Sequence, residues 1–296
     1  MTSEKEIFDR NRAFARWKPA AWLRVAGADA ADFLQGQFTN DLRKLGGEGA
    51  VYGLWLNHKG RVLADSFLLR GAAVGEFWLG SYFSDAAVIR ERLESFIIAD
   101  DVAVEDHTKA YAGVSVSGAD AGPLAGVNGA VGFRGRRSSD AAYEIVFPGE
   151  HETEVLARLA GVPELSAEEM ERRRILAGIP AIPRDIGAGE LPNEGRLEHD
   201  AISYTKGCYL GQEVMARLKS MGQVRRRLLR VKGRGGAPAL PADLFQGDKK
   251  VGELRSAASG DEFVGLALLS LLNLRVDVPL SFAPGGEPRV ELAESP

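Results

Sequence analysis

The pattern of hydrophobic residues changes near residue 225, and this change is the strongest constraint on the fold. Before it, short strand-like segments such as 22–25 alternate with helix-like segments such as 86–96. After it, strand-like segments follow one another at close intervals, several of them separated by glycine-rich turns. The sequence therefore predicts an α+β fold, with two α+β subdomains over residues 1–225 and an antiparallel β-barrel over residues 226–296.

The composition is that of an ordinary globular protein. Of the 296 residues, 45% are hydrophobic and 26% are charged, and the formal net charge is −4. This charge argues against broad binding to nucleic acid, so we expect no direct nucleic-acid partner. The first six residues carry acids and no apolar run, which argues against a signal peptide. No apolar segment reaches the ~20 residues of a membrane span. We expect a cytoplasmic monomer that does not contact membranes.

The only cysteine, Cys208, lies in the octapeptide KGCYLGQE at residues 206–213. A lone thiol excludes an intramolecular disulfide. The helix-like run at 214–219 places Cys208 just before a helix N-terminus and two residues after Lys206, and both features lower the pKa of a thiol. A small buried side chain in a tight turn is the alternative. The spacing leaves the choice between a reactive and an inert thiol open.

The rest of the octapeptide predicts the local backbone. Gly207 and Gly211 allow backbone angles that are closed to other residues. Gln212 and Glu213 are predicted to lie in the first helical turn, where an acid suits the helix dipole. Glu213 and Arg217 have the spacing and order of an ion pair on a helix. We therefore expect the loop to lead directly into a helix.

Other motifs with a known chemistry are missing from the sequence. It contains no G-x-x-x-x-G-K phosphate loop and no G-x-S-x-G nucleophile motif. The four histidines are scattered without metal-ligand spacing, so we expect no resident metal site.

The octapeptide at 206–213 resembles the signature of the YgfZ family of folate-binding proteins, which are relatives of the glycine-cleavage T protein, an aminomethyltransferase. Segments 27–41, 57–61 and 174–180 resemble further family motifs, and all occur in the expected order along nearly the whole chain. The resemblance implies a T-protein-like fold, with two α+β subdomains around a central cavity and a C-terminal antiparallel β-barrel. This fold agrees with the hydrophobic pattern.

The resemblance also implies a function. It predicts a tetrahydrofolate-binding accessory protein for iron–sulfur cluster assembly or repair in client enzymes, linked in the family to tRNA-modifying enzymes. Cys208 is then the reactive residue, Lys206 tunes its thiol, and Tyr209 and Gln212 shape the loop. Because a cluster needs several thiolates, further ligands must come from a second chain, a small thiol or the client.

Five residues are predicted to contact the folate. Asn40, Asp41, Asn57 and Arg61 lie in the family-like motifs and are candidates for lining the cavity. In folate-binding relatives a tryptophan near the first strand contacts the ligand, and Trp22 lies two residues from that position, on the same face of a strand. The alternative for Asp41 and Arg61 is a structural ion pair.

Two departures from the T protein bear on catalysis. T-protein enzymes carry paired acids where this chain has Ala64 and Asp65, and another acid where it has Leu176. A missing carboxylate removes a hydrogen-bond partner for the pterin and a charge that stabilises the developing cation on the folate nitrogen. These departures disfavour the alternative function, a folate-dependent aminomethyltransferase-like enzyme. A third alternative is a binding scaffold with an inert cysteine.

Overall fold

The computed structural model describes residues 12–46, 49–118, 126–140, 142–222, 224–260, 262–272 and 274–293. The first eleven residues, which include the segment that argues against a signal peptide, lie outside the described residues.

Strands and helices alternate up to residue 221, and only strands follow among the described residues. The strands are β1 (Ala13–Trp17), β2 (Ala21–Ala26), β3 (Ala50–Leu56), β4 (Val62–Arg70), β5 (Glu76–Ser81), β6 (Ala103–Asp106), β7 (Tyr111–Ser117), β8 (Val131–Arg134), β9 (Ala142–Pro148), β10 (Arg226–Arg234), β11 (Ala242–Gln246), β12 (Lys249–Ala258), β13 (Glu262–Ser270) and β14 (Val290–Leu292). The α-helices are α1 (Ala30–Gln37), α2 (Ala86–Glu94), α3 (Glu152–Arg158), α4 (Ala167–Leu176) and α5 (Gln212–Met221). None of these helices is long and apolar enough to cross a membrane.

The described strands form three antiparallel sheets. The first has the order β3-β4-β5-β2-β6, the second β1-β7-β9-β8 and the third β11-β12-β13-β10-β14. The third sheet curls, and isolated bridges from Phe245 to Ser281 and from Leu280 to Val290 connect its two edge strands, β11 and β14. The predicted fold, with two mixed subdomains followed by a curled antiparallel sheet, is therefore confirmed.

The second sheet contains a strand whose partner the sequence pattern did not reveal. β1 precedes the whole first sheet, yet Ala13 pairs with Ser117 and Trp17 pairs with Gly113 of β7. The hydroxyl of Ser117 also donates to the carbonyl oxygen of Ala13, 104 positions earlier. The described chain therefore starts in the second subdomain, builds the first and then returns. Local alternation of apolar residues carries no information about such a distant pairing.

Two apolar clusters join the three sheets. Trp22 and Phe67 of the first sheet pack with Phe133 of the second. Ile175 of α4 packs in another cluster with Leu228 of the third sheet. Burial of apolar surface stabilises such interfaces by about 25 cal/mol per Å². The three sheets are therefore packed against one another through apolar side chains.

Candidate functional site

The cysteine loop leads into a helix, as predicted. Cys208 is exposed, and α5 begins at Gln212. Gly211 has a φ of 86°, in the left-handed region that favours glycine. A β-carbon at this position would lie 3.1 Å from the carbonyl oxygen of Asn57. The loop therefore needs glycine at position 211 both for its conformation and for its close approach to the turn at Asn57.

Two local predictions for the loop are wrong. Gly207 lies outside the left-handed region, and a β-carbon there would meet no atom within 4 Å. Glu213 and Arg217, both described residues of α5, form no salt bridge with each other. Their side chains are exposed, and an exposed pair gains little from holding two long side chains in one geometry.

Lys206 holds the loop to the first subdomain. Its side chain is 5% exposed. Its Nζ donates to the carbonyl oxygens of Gln35 at 2.5 Å, Phe38 at 2.6 Å and Asn40 at 3.0 Å. These three bonds use all three donors of the ammonium. Burial lowers the pKa of Lys206 to about 8. The donors of Lys206 bind the C-terminal end of α1 and the residues after it, so Lys206 anchors the loop, and its effect on the Cys208 thiol stays a prediction.

Removing this ammonium is expected to destabilise the protein. We expect Lys206→Met to lower the free energy of unfolding by about 1–3 kcal/mol, because it leaves buried carbonyl oxygens without a donor. Urea denaturation measures the loss. Lys59→Met is the matched control, since Lys59 is exposed and its replacement should change the free energy of unfolding by about 0.5 kcal/mol or less. Equal stabilities of the two variants would contradict the anchoring role of Lys206.

Tyr209 anchors the loop from the other side of the cysteine. Its ring is buried in an apolar cluster with Met215, and burial raises the pKa of its phenol. The Tyr209 hydroxyl has no hydrogen-bond partner in the described part of the chain. The backbone N–H of Gln212 donates to the Tyr209 carbonyl oxygen at 3.1 Å. Both neighbours of the segment 207–208 are thus buried, while Cys208 itself faces solvent.

The side chains of Asn40 and Asp41 form hydrogen bonds within the protein. The Asn40 amide donates to the carbonyl oxygens of Tyr52 at 2.9 Å and Asp200 at 2.8 Å. The Asp41 carboxylate accepts from the guanidinium of Arg43, from Nε at 2.9 Å and from Nη2 at 2.7 Å, and from the Arg43 backbone N–H at 3.1 Å. Hydrogen bonding to Arg43 holds the pKa of Asp41 well below its usual range. Both side chains are buried and have protein partners, so the structure gives neither of them the open cavity position that was predicted.

Asn57 shapes the turn against which the cysteine loop packs. Its side-chain oxygen accepts from the backbone N–H groups of Lys59 at 2.9 Å and Arg61 at 3.0 Å. Such a side-chain-to-backbone bond stabilises tight turns. Gly60 in this turn has a φ of 69°. The antiparallel strands β3 and β4 pair on either side of this turn, so Asn57 is a turn residue of a hairpin.

The ion pair between Asp41 and Arg61, the alternative left open by the sequence, does not form. Asp41 pairs with Arg43 at 2.7 Å. Arg61 donates to the carbonyl oxygen of Gly189 at 2.9 Å and lies 3.9 Å from Glu194. Each residue has a nearer partner of its own, because the turn directs Arg61 towards the segment that precedes the cysteine loop.

Trp22 belongs to the core. Its side chain is 0% exposed, and its ring stacks on Trp78 with centroids 5.6 Å apart and lies 5.8 Å from Tyr111. The structure therefore leaves no open face of Trp22 for a ligand. The prediction that Trp22 contacts folate is corrected, because the strand places this face between the first two sheets.

A cavity that the sequence did not predict lies between the second subdomain, the end of α4, the segment before the cysteine loop and the third sheet. Its volume is about 420 Å³. Arg136 comes from the second subdomain, Leu176 from the end of α4, Arg196 from the segment before the cysteine loop, and Leu228 and Leu266 from the third sheet. The family resemblance marks Leu176 as a departure from the T protein but does not place it in a cavity. No local signal joins Arg136 and Arg196, because 60 positions of chain separate them.

A polar chain runs from the cavity wall into the first sheet. The Arg136 Nε donates to Asp200 at 2.7 Å, and its guanidinium lies 4.3 Å from the centre of the Tyr52 ring. Burial alone would lower the pKa of Arg136, but Tyr52 and Asp200 outweigh it and raise this pKa. The Tyr52 hydroxyl donates to the Asp65 carboxylate at 2.9 Å. Arg136 is therefore neutralised within the protein.

Two family models match parts of the chain. The GCVT N-terminal domain matches residues 18–125, and the CAF17 C-terminal beta-barrel domain matches residues 225–294. The chain is 30% identical over 297 residues to the mitochondrial iron-sulfur cluster assembly factor IBA57 of Homo sapiens, covering 92% of this chain and 81% of the relative. The chain belongs to the IBA57 and YgfZ family. The family that the sequence motifs indicated is thereby confirmed.

Other members and a solved structure agree with this assignment. The tRNA-modifying protein YgfZ of Vibrio vulnificus strain YJ016 is 28% identical over 243 residues, which cover 80% of this chain and 74% of the relative. The crystal structure of the glycine cleavage system aminomethyltransferase T from Bartonella henselae superposes with a TM-score of 0.76. It covers 97% of this chain and 87% of that protein at 17% identity. This likeness supports the T-protein-like fold.

The folded chain brings some of the family-like segments into contact with the octapeptide, but not all of them. The octapeptide packs on the Asn57 turn through Gly211 and on the segment 35–40 through Lys206. Trp22 lies apart from it, in the core between the first two sheets. Among the described residues, no group of three or more His, Cys, Asp or Glu is placed to hold a metal ion.

Proposed function

We propose that this protein binds a tetrahydrofolate in the cavity between the second subdomain, the end of α4 and the third sheet, and that it supports iron–sulfur cluster assembly or repair in client enzymes. The observation that carries the iron–sulfur part of the proposal is Cys208, an exposed thiol between the buried anchors Lys206 and Tyr209. The human relative is named an iron-sulfur cluster assembly factor and the Vibrio relative a tRNA-modifying protein. We therefore propose that the clients include tRNA-modifying enzymes and that Cys208 contacts the client, its iron or its sulfur.

The size and the lining of the cavity support the folate assignment. Its volume of about 420 Å³ falls within the roughly 300–1,000 Å³ of small-molecule sites. Leu176, Ile179 and Leu228 offer apolar contacts for a flat ring, and the arginines of the lining offer donors for carboxylates. When bound, tetrahydrofolate supplies one-carbon chemistry. Cys208 does not line the cavity, so folate binding and thiol chemistry are separable.

The surroundings of Asp65 favour binding over aminomethyl transfer. Its carboxylate accepts hydrogen bonds from Tyr52 at 2.9 Å, Ser81 at 2.6 Å and Ser84 at 2.7 Å. These three hydroxyls hold the carboxylate within the first subdomain. Ala64 and Leu176 supply no carboxylate at the two positions where the T protein has one. We therefore propose a folate-binding accessory protein rather than a transferase.

Calorimetry with tetrahydrofolate tests the proposal. We expect binding to wild type and equally to Cys208→Ala, because the cysteine lies outside the cavity lining. Leu176→Trp is the control that should weaken binding, since Leu176 lines the cavity and is 45% exposed, which leaves room for a larger side chain that fills it. No heat of binding to wild type at millimolar ligand would refute the folate assignment.

A further inference from the structure

Arg196 adopts an unfavourable backbone conformation beside the cavity. Its φ is 57° and its ψ is 25°, and no other non-glycine residue of the described chain has a positive φ. It follows the 3₁₀ turn Pro192–Gly195. Glycine or asparagine adopts this left-handed conformation at lower cost than arginine. Residues held in such conformations cluster at ligand-binding sites, where the side chain has a use that outweighs the cost.

The charge of Arg196 is uncompensated by the protein. Of the three arginines that line the cavity, Arg136 pairs with Asp200, and Arg230 donates to the carbonyl oxygen of Leu176 at 2.8 Å. Arg196 is exposed, and its guanidinium has neither a hydrogen bond nor an ion pair with any residue in the described ranges. The lining contains no Asp or Glu. The cavity therefore carries a positive charge and suits an anionic ligand.

We propose that Arg196 binds a carboxylate of the ligand. This inference rests on the proposed function and deepens it, because it assigns the glutamate tail of the folate to the Arg196 end of the cavity. A guanidinium forms two parallel hydrogen bonds with one carboxylate, so it both orients the ligand and pairs with its negative charge. The apolar wall formed by Leu176, Leu228 and Leu266 is left for the ring system.

The test compares a ligand that has the tail with one that lacks it. Dissociation constants of tetrahydrofolate and of 6-methyltetrahydropterin, which has no carboxylate, are measured by calorimetry for wild type and Arg196→Gln. We expect Arg196→Gln to weaken tetrahydrofolate binding by about tenfold or more, as for loss of a charge-assisted hydrogen bond. Binding of the pterin should not change. Arg234→Gln is the matched control, because Arg234 is an exposed arginine of β10 outside the cavity lining.

A second variant separates ligand binding from folding. Asparagine tolerates the left-handed conformation, so Arg196→Asn should unfold at or above the wild-type temperature while losing tetrahydrofolate affinity to the same extent as Arg196→Gln. Wild-type affinity in both variants would overturn the role of Arg196 and leave the folate proposal standing. An equal loss of folate and pterin binding would also overturn it. If wild type binds neither ligand, the proposed function itself fails.

Discussion

A Cys208→Ala variant is expected to lose all ability to restore an iron–sulfur enzyme in cells that lack this protein. Cys208 is the only thiol of the chain and is exposed, so no other thiolate of the chain can replace it as a sulfur ligand or nucleophile. The fold should be unaffected, because substitutions at exposed sites usually change the free energy of unfolding by about 0.5 kcal/mol or less. The measurement is the activity of the client enzyme under oxidative stress, with the unfolding temperature recorded in parallel.

The control for this experiment is Ser220→Ala, which removes a polar group from an exposed position of α5 and should restore the client as wild type does. The rate of reaction of Cys208 with a maleimide separates the reactive thiol from the inert scaffold. A rate no faster than that of an unperturbed free thiol, together with full rescue by Cys208→Ala, would contradict the role proposed for Cys208.

Arg174→Ala is expected to lower the free energy of unfolding by about 3–5 kcal/mol, the usual cost of breaking a buried ion pair. Arg174 is 1% exposed and its partner Asp185 is 0% exposed, with 2.8 Å between Nη1 and the carboxylate. Arg174 also donates to Glu171 at 2.8 Å and to Ser256 of β12 at 2.9 Å. The substitution therefore leaves the Asp185 carboxylate buried without its counter-ion and loosens α4 from the third sheet. Urea denaturation at neutral pH measures the effect.

The neighbouring arginine supplies the control. Arg173 lies on the same helix and pairs with Glu169 at a partly exposed site, so Arg173→Ala should cost about 0.2–1 kcal/mol. The double variant Arg174→Ala with Asp185→Ala should lose less stability than the sum of the two single variants, since it removes both charges together. If Arg173→Ala and Arg174→Ala lowered the free energy of unfolding by similar amounts, the buried ion pair would contribute no more to stability than the exposed one.

Local patterns in the sequence were sufficient to predict most of the helices and strands around the site. The strand-like residues 22–25 lie in β2 and the helix-like residues 86–96 contain α2, because each signal is contained within a few neighbouring residues. Gly211 was recognisable for the same reason. The arrangement of the subdomains came from the family resemblance rather than from these patterns.

The roles of individual side chains depended on distant partners and could not be predicted. Lys206 is adjacent in sequence to the cysteine loop, but its ammonium binds carbonyl oxygens about 170 positions earlier. Trp22 was placed on the correct strand, but the second sheet that covers its ring is built largely from residues after 110. The cavity combines Arg136 with Arg196, and only the folded chain brings them to one lining.

The position of β1 has a consequence for folding of the chain during translation. Ribosomes add roughly 5–20 residues per second, so β1 emerges about 5–20 s before the residues of β7 with which it pairs. During this interval the residues of the first sheet are already available, whereas β1 has no partner for its backbone groups. An unpaired strand edge is a site at which chains associate with one another. The nascent chain is therefore open to association through β1 until β7 has been translated.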